Sequence, residues 1–425
     1  MLLIYTPKIT PRLTYVFKHI CIRILGLDIG FTTTIEEFIA HTGAKLSYSK
    51  QPLGNEFFIQ SRDLLFQQGV ESIDITVRAW EDTKCFFICG EKSMLPYDIF
   101  AASFYLISRY EEYLPHVKDE LGRYPVTESL GYKASFLQQP VVDFWAFKFK
   151  KKLQEHFPDL DFTSRKFKKH HLVEVQTPYL FLRKGIFRST VCFFSDIVRL
   201  RAKTFLKRTQ VVLRFKPDPY DVYDFLIETS KKSKIPTTVF FILGENEDFF
   251  TEIETQHPKY KELIKYVGDY LTTGLLFSKK ALKDVNLLKE EKKNMESITN
   301  REVKKSLNAH YFVNLPENYR NLIALEVASD CSMVYETVPG FRAGTCTPFL
   351  FYDLDYEIKT PLIINPVAFS TTSFSNKNNA EADVQINSII QSVKKVNGTF
   401  SVLFTNLNFT ETPKNKFWKK LFLTQ

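Results

Sequence analysis

Residues 340–354 read GFRAGTCTPFLFYDL, an arginine set between two glycines ahead of a Thr-Cys-Thr-Pro turn. Glycine allows positive φ or close approach of backbone to a ligand. Arg342 offers a fixed fork of donors suited to a carboxylate or phosphate. Elsewhere histidine, the side chain most used for acid–base and metal chemistry near neutrality, is sparse. Beyond residue 171 only His257 and His310 occur, and His257 sits in a polar QHPKY turn. Asp218 and Asp221, in PDPYD, supply carboxylates, though the phrase reads better as a helix cap. The six cysteines, at 21, 85, 89, 192, 331 and 346, contain no CxxC pair. Cys85 and Cys89 flank an apolar FFI run that reads as a buried strand, a spacing unsuited to a zinc knuckle. Free thiols in a reducing compartment are expected.

These residues need a large scaffold to position them. A chain of 425 residues favours two or three domains, and 44% hydrophobic content is ample for a sizeable core. The formal charge of +9 lies in clusters: KFKKKL at 148–153, RKFKKHH at 165–171, RLRAKTFLKR at 199–208 and KNKFWKK at 414–420. Solvated helix faces account for these. No finger, helix-turn-helix or RNP pattern accompanies them, so no nucleic-acid partner is expected. MLLIYTPKITPRL breaks too early for a secretory apolar core, and no apolar run reaches the ~18–20 residues that span a bilayer. The expectation is a cytoplasmic, bacterial protein with no membrane span.

Residues 1–95 read as α/β material. MLLIYTP is a strand, and TPRLTYVFKHICIRILG is a helix with Thr10 as its cap before Pro11. FTTTI, KLSYS, FFIQS, SIDITVRAW and KCFFICG read as strands. YDIFAASFYLISRYEEYL is an amphipathic helix with Ile99, Phe104, Ile107 and Tyr110 near one face, and PVVDFWAFKFKKKLQEHFP is a second helix. A boundary is expected at 160–170, giving a small α/β domain over 1–162. The remainder, 163–425, alternates strand and helix signals: HLVEVQT, a basic helix over 195–210, VVLRFK, DPYDVYDFLIETSKKS, PTTVFFIL, LIKYVG, a Lys/Glu helix over 278–295, LNAHYFV, ENYRNLIALEV, SMVYE, LIINPVAF, a helix over 380–395 and TFSVLFTNL. Such alternation predicts a parallel sheet closed into an α/β barrel.

Several phrases, in collinear order over about residues 95–425, together resemble one family. They are YDIFAASFYLISRYEEYL, GRYPVTESLGYK, FLQQPVVDFWA, KPDPYDVYDFL, TTVFFILG, LPENYRNL and GFRAGTCTPFLFYDL. The text is similar to bacterial, Bacteroidetes-type proteins in which a conserved α/β domain precedes a polysaccharide deacetylase barrel. The resemblance implies a distorted (β/α)₇ barrel that removes an acetyl group from a glycan. It implies a divalent metal, commonly Zn²⁺, held by one Asp and two His, with a further Asp as base and a late His as acid.

The positions that would do this chemistry depart from the family's pattern. In LVEVQTPYLFLRKG (172–185) Glu174 and Gln176 stand where two aspartates are implied. In GDYLTTGLLFSKK (268–280) Gly274 stands near the place of the first His ligand, and no His lies between 257 and 310. LNAHYF (307–312) keeps His310 but has Asn308 and Ala309 for Arg and Gln. SVLFTNLNF (401–409) has Thr405 where the late His is implied, and threonine is no general acid near neutrality. The GFRAGTCTPF loop is intact, so Arg342 pairs with Glu174 or with an anionic ligand in this reading.

The expectation is a deacetylase-like barrel without the metal-dependent reaction, a pseudoenzyme that binds a glycan, a glycan precursor or a protein partner. Glu174, His310 and Arg342 are its catalytic remnants. Arg342, Thr345, Tyr352 and Asp353 are its substrate-binding candidates. No metal site and no cofactor is expected. The alternative is a working carbohydrate deacetylase with an altered site built from Glu174, His310, Asp353 and Arg342. A third class, from the charge, is a binder of anionic polymers.

Overall fold

Short apolar runs separated by helical spacing build the first unit. The computed structural model describes residues 1–182, 186–244, 255 and 257–424, with the side chains of 186–188 excepted. Its opening elements are β1 (Leu2–Tyr5), α1 (Pro11–Phe17), β2 (Ile29–Thr32), α2 (Ile35–Ala40), β3 (Lys45–Ser49) and β4 (Phe57–Gln60). The four strands form a parallel sheet in the order β2-β1-β3-β4. Thr10 caps α1, its hydroxyl accepting from the Leu13 amide at 3.1 Å. A π-helical run, Lys18–Ile24, continues α1.

A small hairpin of β5 (Arg78–Trp80) and β6 (Thr83–Cys85) follows. SIDITVRAW and KCFFICG are thus only partly extended, and Phe87 turns the chain at φ 64°. The expected amphipathic helix is α3 (Ile99–Ile107), which is buried on every side. It ends because Arg109 takes a left-handed conformation before α4 (Tyr110–Tyr113). After α5 (Leu130–Lys133), α6 (Val141–His156) closes the unit. Residues 157–167 connect α6 to the next strand.

The second part runs β7 (Lys168–Val175), α7 (Ile186–Val198), α8 (Ala202–Val212), α9 (Tyr223–Ser233), β8 (Thr237–Ile242), α10 (Pro258–Tyr270), β9 (Thr272–Phe277), α11 (Val285–Thr299), β10 (Lys305–Asn308), α12 (Glu317–Ala324) and β11 (Ser329–Asp330). It ends with β12 (Phe349–Asp353), β13 (Ile358–Ile364), β14 (Phe369–Ser370), α13 (Asn379–Lys395), β15 (Thr399–Thr405) and α14 (Asn415–Thr424). Three expected strands differ. VVLRFK is the end of α8 and a turn, LIKYVG lies inside α10, and SMVYE forms no strand. The basic helix breaks into α7 and α8 at residues 199–201. Lys184 and Gly185, which anchor the LVEVQTPYLFLRKG phrase, lie outside the described residues.

The nine-stranded sheet has the order β12-β13-β11-β10-β9-β8-β7-β15-β14. All neighbours are parallel except β12 on β13. β13 and β14 lie on one stretch of chain: Ile363 and Ile364 pair with β11, and Phe369 and Ser370 pair with β15. The two ends of the ladder are therefore tied by the same segment, and the sheet curls like a barrel. Alternate residues turn inward. Leu172, Phe240, Ile242, Leu276, Leu307 and Leu403 share one inner core, while Val173, Val239, Phe241, Leu275 and Phe277 face outward into the main core. Near-continuous apolar strands such as TTVFFI are what a sheet covered on both faces requires.

Candidate functional site

Inward positions at the carboxyl ends of the parallel strands form the candidate site, since in such sheets ligands collect there. Glu174 points inward two residues beyond Leu172 and pairs across the ladder with Thr405. It is buried, and its Oε1 accepts from the Tyr311 hydroxyl at 3.0 Å. Tyr311 stands just past β10 at φ 54°. Its hydroxyl lies 2.8 Å from Ser370 Oγ, and Thr372 Oγ1 donates to Ser370 Oγ at 2.9 Å. Thr372 also reaches the Glu336 carbonyl at 3.2 Å. Three hydrogen bonds thus run from a buried carboxyl to Thr372.

Burial pushes the Glu174 carboxyl up to about 7, against the lowering effect of Tyr311 and Gln176. Glu174 Oε2 is buried with no hydrogen-bond partner. A buried acceptor left this way costs about 1–3 kcal/mol until a donor reaches it.

Thr372 and Thr405 also line a cleft of about 940 Å³, with Tyr220, Phe225, Asn408 and Trp418 among its walls. Asp218 fixes this wall rather than capping α9. Its carboxylate accepts from the amides of Leu180, Phe181 and Leu182 at 2.8–3.1 Å, and Val222 is the residue at the helix start.

His310 follows β10 at φ 54°, and its carbonyl accepts from Arg123 Nη1 at 2.6 Å. It shares the strand end with Tyr311. Arg342 does not join Glu174. Its guanidinium is buried in a two-pronged ion pair with Glu112, both contacts at 2.8 Å. Thr345 donates to Asp143 Oδ2 at 2.6 Å. The Tyr352 hydroxyl donates to Glu357 at 3.0 Å. Asp353 is held by Arg320 through contacts of 2.6 and 2.8 Å. These four residues are set in joints between elements, away from the Glu174 cluster.

The residues present do not fit the zinc that the resemblance implies. Gly274 is inside β9, where a Cβ would lie 2.6 Å from the Phe240 ring, so this position is packing. The strand-end residue is Ser278, held by Glu291. Around Glu174 the polar neighbours are hydroxyls and an amide. Among the described residues no group of three or more His, Cys, Asp and Glu is gathered as a metal would need.

Sequence reasoning stopped at His310 and passed over Tyr311, its neighbour, although a tyrosine at a strand end was visible. Ser370 and Thr372 gave no signal beyond hydroxyls after the apolar LIINPVAF run. RYEEY did give one: three charged side chains, Arg109, Glu111 and Glu112, closing an otherwise apolar helix phrase.

Residues 2–158 match the family model described as "Family of unknown function (DUF7033)". No curated protein matches the chain. Among solved structures, a crystal structure of a candidate polysaccharide deacetylase from Mycobacterium smegmatis is similar at 11% identity and a TM-score of 0.36. The match covers 62% of this chain and 87% of that one. The chemistry of the site therefore rests on its own residues.

Proposed function

We propose that this chain is a deacetylase-type barrel that binds a polyhydroxylated ligand, a glycan or glycan precursor, without the metal-dependent reaction. Taking β13 and β14 as one strand gives the parallel positions of a (β/α)₇ barrel, which supports that fold type. The observation that carries the binding role is the Glu174 cluster. A buried carboxyl with one oxygen unpartnered is linked through Tyr311 and Ser370 to Thr372 on the cleft wall. Aromatic side chains beside amides and hydroxyls suit a sugar, which offers an apolar face and a hydroxyl edge. Titration calorimetry with soluble acetylated oligosaccharides tests this. Binding that Thr372→Val and Tyr220→Ala each weaken supports the reading; absent binding, or binding indifferent to both, removes it.

One observation favours a second reading, a hydrolase working through Glu174. A carboxyl near 7 is poised to give or take a proton at neutral pH. When Glu174 is protonated, donors run outward through Tyr311, Ser370 and Thr372 to the Glu336 carbonyl. When it is ionised, they run inward. Acetyl release that Glu174→Gln abolishes would select this reading over simple binding.

A further inference from the structure

The helical hairpin α7–α8 is the part of the molecule whose surface the proposed function leaves unexplained. Its inner side is built in the ordinary way. Arg208 Nε donates to Asp196 at 2.8 Å within the hairpin, Phe193 meets Phe205 edge to face, and the Arg208 guanidinium lies over Phe181. Its outer side is not ordinary. Phe194, Ile197 and Val198, at i, i+3 and i+4, form one stripe of α7 and are 63%, 54% and 79% exposed. Leu200 at the hairpin tip is 90% exposed, and Leu206 and Phe215 are open as well. Isolated exposed apolar residues are common, but an exposed apolar stripe at helical spacing that runs on to Leu200 at the hairpin tip marks a surface that is covered in use.

Charge decides what covers it. Residues 186–216 contain eight Lys and Arg and one acidic residue, Asp196, which is buried against Arg208. Arg201, Lys203, Lys207, Arg214 and Lys216 are exposed among the apolar side chains. A second copy of the chain, related by a two-fold axis, would bring like charges together. A nucleic acid would neutralise the cations and leave Val198 and Leu200 against phosphate or water. A layer of anionic head groups over acyl chains meets both demands: cations at the head groups, apolar side chains just below them. The helices, at 13 and 11 residues, are too short to cross a bilayer that needs about 20. They are suited to lie in its interface.

We infer that the α7–α8 hairpin docks the protein on an anionic phospholipid surface. This is independent of the deacetylase reading. Lys207, Gln210 and Val211 of α8 also line the cleft, so docking sets the cleft beside the lipid surface.

Flotation of the purified full chain with phosphatidylcholine vesicles, with and without phosphatidylglycerol, tests the inference. The expected result is co-flotation with the anionic vesicles only, weakening as salt rises. Each exposed cation contributes about fivefold to such partitioning, so Arg201→Glu with Lys203→Glu lowers it by more than ~25-fold. Val198→Ser with Leu200→Ser keeps every charge and still releases the protein; these side chains are exposed, so the unfolding midpoint should not move. Wild-type protein that stays unbound on anionic vesicles overturns the inference, with no variant needed. It is equally overturned by tighter binding to a duplex oligonucleotide or to polyglutamate that the two serine substitutions leave unchanged.

Discussion

Arg342 and Glu112 face each other in a buried two-pronged ion pair that joins the barrel-like sheet to the amino-terminal unit. Arg109 completes the cluster. Its Nε donates to the same Glu112 carboxylate at 2.7 Å, and its Nη1 donates to the Arg342 carbonyl. One step along the loop, Asp143 of α6 accepts from the Thr345 and Thr347 hydroxyls and the Cys346 amide. Gly340 packs on Leu137 and Gly344 on Leu106, positions where a Cβ would lie under 3 Å away. GFRAGTCTPFLFYDL is therefore a clamp between two units, and it meets the RYEEYL and VVDFWA phrases that the resemblance also rests on.

Removing one member of the clamp strands the other. Arg342→Ala leaves Glu112 buried with only Arg109, and should cost about 3–5 kcal/mol in urea unfolding. Arg342→Lys should recover little, since an ammonium cannot make the paired contact. An unchanged midpoint would show that the ion pair contributes nothing to holding the units together.

Acid should release the same joint. Burial works to raise the Glu112 carboxyl, but Arg342 and Arg109 outweigh it and hold it at about 2, below its ordinary 4.5. A depressed carboxyl stabilises the fold above its unfolded pKa and loses that contribution as pH falls toward the folded one. Between about 4.5 and 2 the wild type should therefore lose on the order of 3 kcal/mol that Glu112→Gln has already lost. Parallel stability curves for the two proteins would contradict this.

Asp143→Asn changes one acceptor of four hydrogen bonds into an amide and removes the partner of Arg165, held at 2.8 Å. The expected loss is about 3 kcal/mol, read from the urea midpoint. A neutral substitution would show that the Thr345–Thr347 turn holds without it.

Glu174 should behave in the opposite sense to Glu112. Its carboxyl is raised to about 7 by burial, so ionising it costs the folded state. Stability should fall as pH rises from about 4.5 to 7, by on the order of 3 kcal/mol, and level off above. Glu174→Gln should remove that slope. Tyr311→Phe deletes the donor to Oε1 and should move the slope to higher pH. A wild type with flat stability across this range would mean Glu174 is not buried as described.

Much of the fold was legible because the local signals were strong. Thr10-Pro11 marked α1, the apolar spacing of VVDFWAFKFKKKL gave α6, and β-rich runs such as TTVFFI gave strands of the nine-stranded sheet. VVLRFK and LIKYVG misled for one reason: four or five apolar residues read alone suit a strand. Over a longer window Tyr260, Leu263, Ile264 and Val267 have helical spacing. The site was less legible. Glu174 was visible on β7, but its partners Tyr311, Ser370 and Thr372 come from strands far apart in sequence. Arg342 was read as a ligand-facing fork because its partner, Glu112, lies 230 residues away.

The most direct test of the central claim is the zinc content of the purified chain by elemental mass spectrometry, after incubation with Zn²⁺ and dialysis. A carboxyl among hydroxyls with no histidine ligand should retain no stoichiometric metal. Near-stoichiometric zinc, lost on Glu174→Ala or His310→Ala, would contradict the account and restore a metal-dependent reaction at the strand ends.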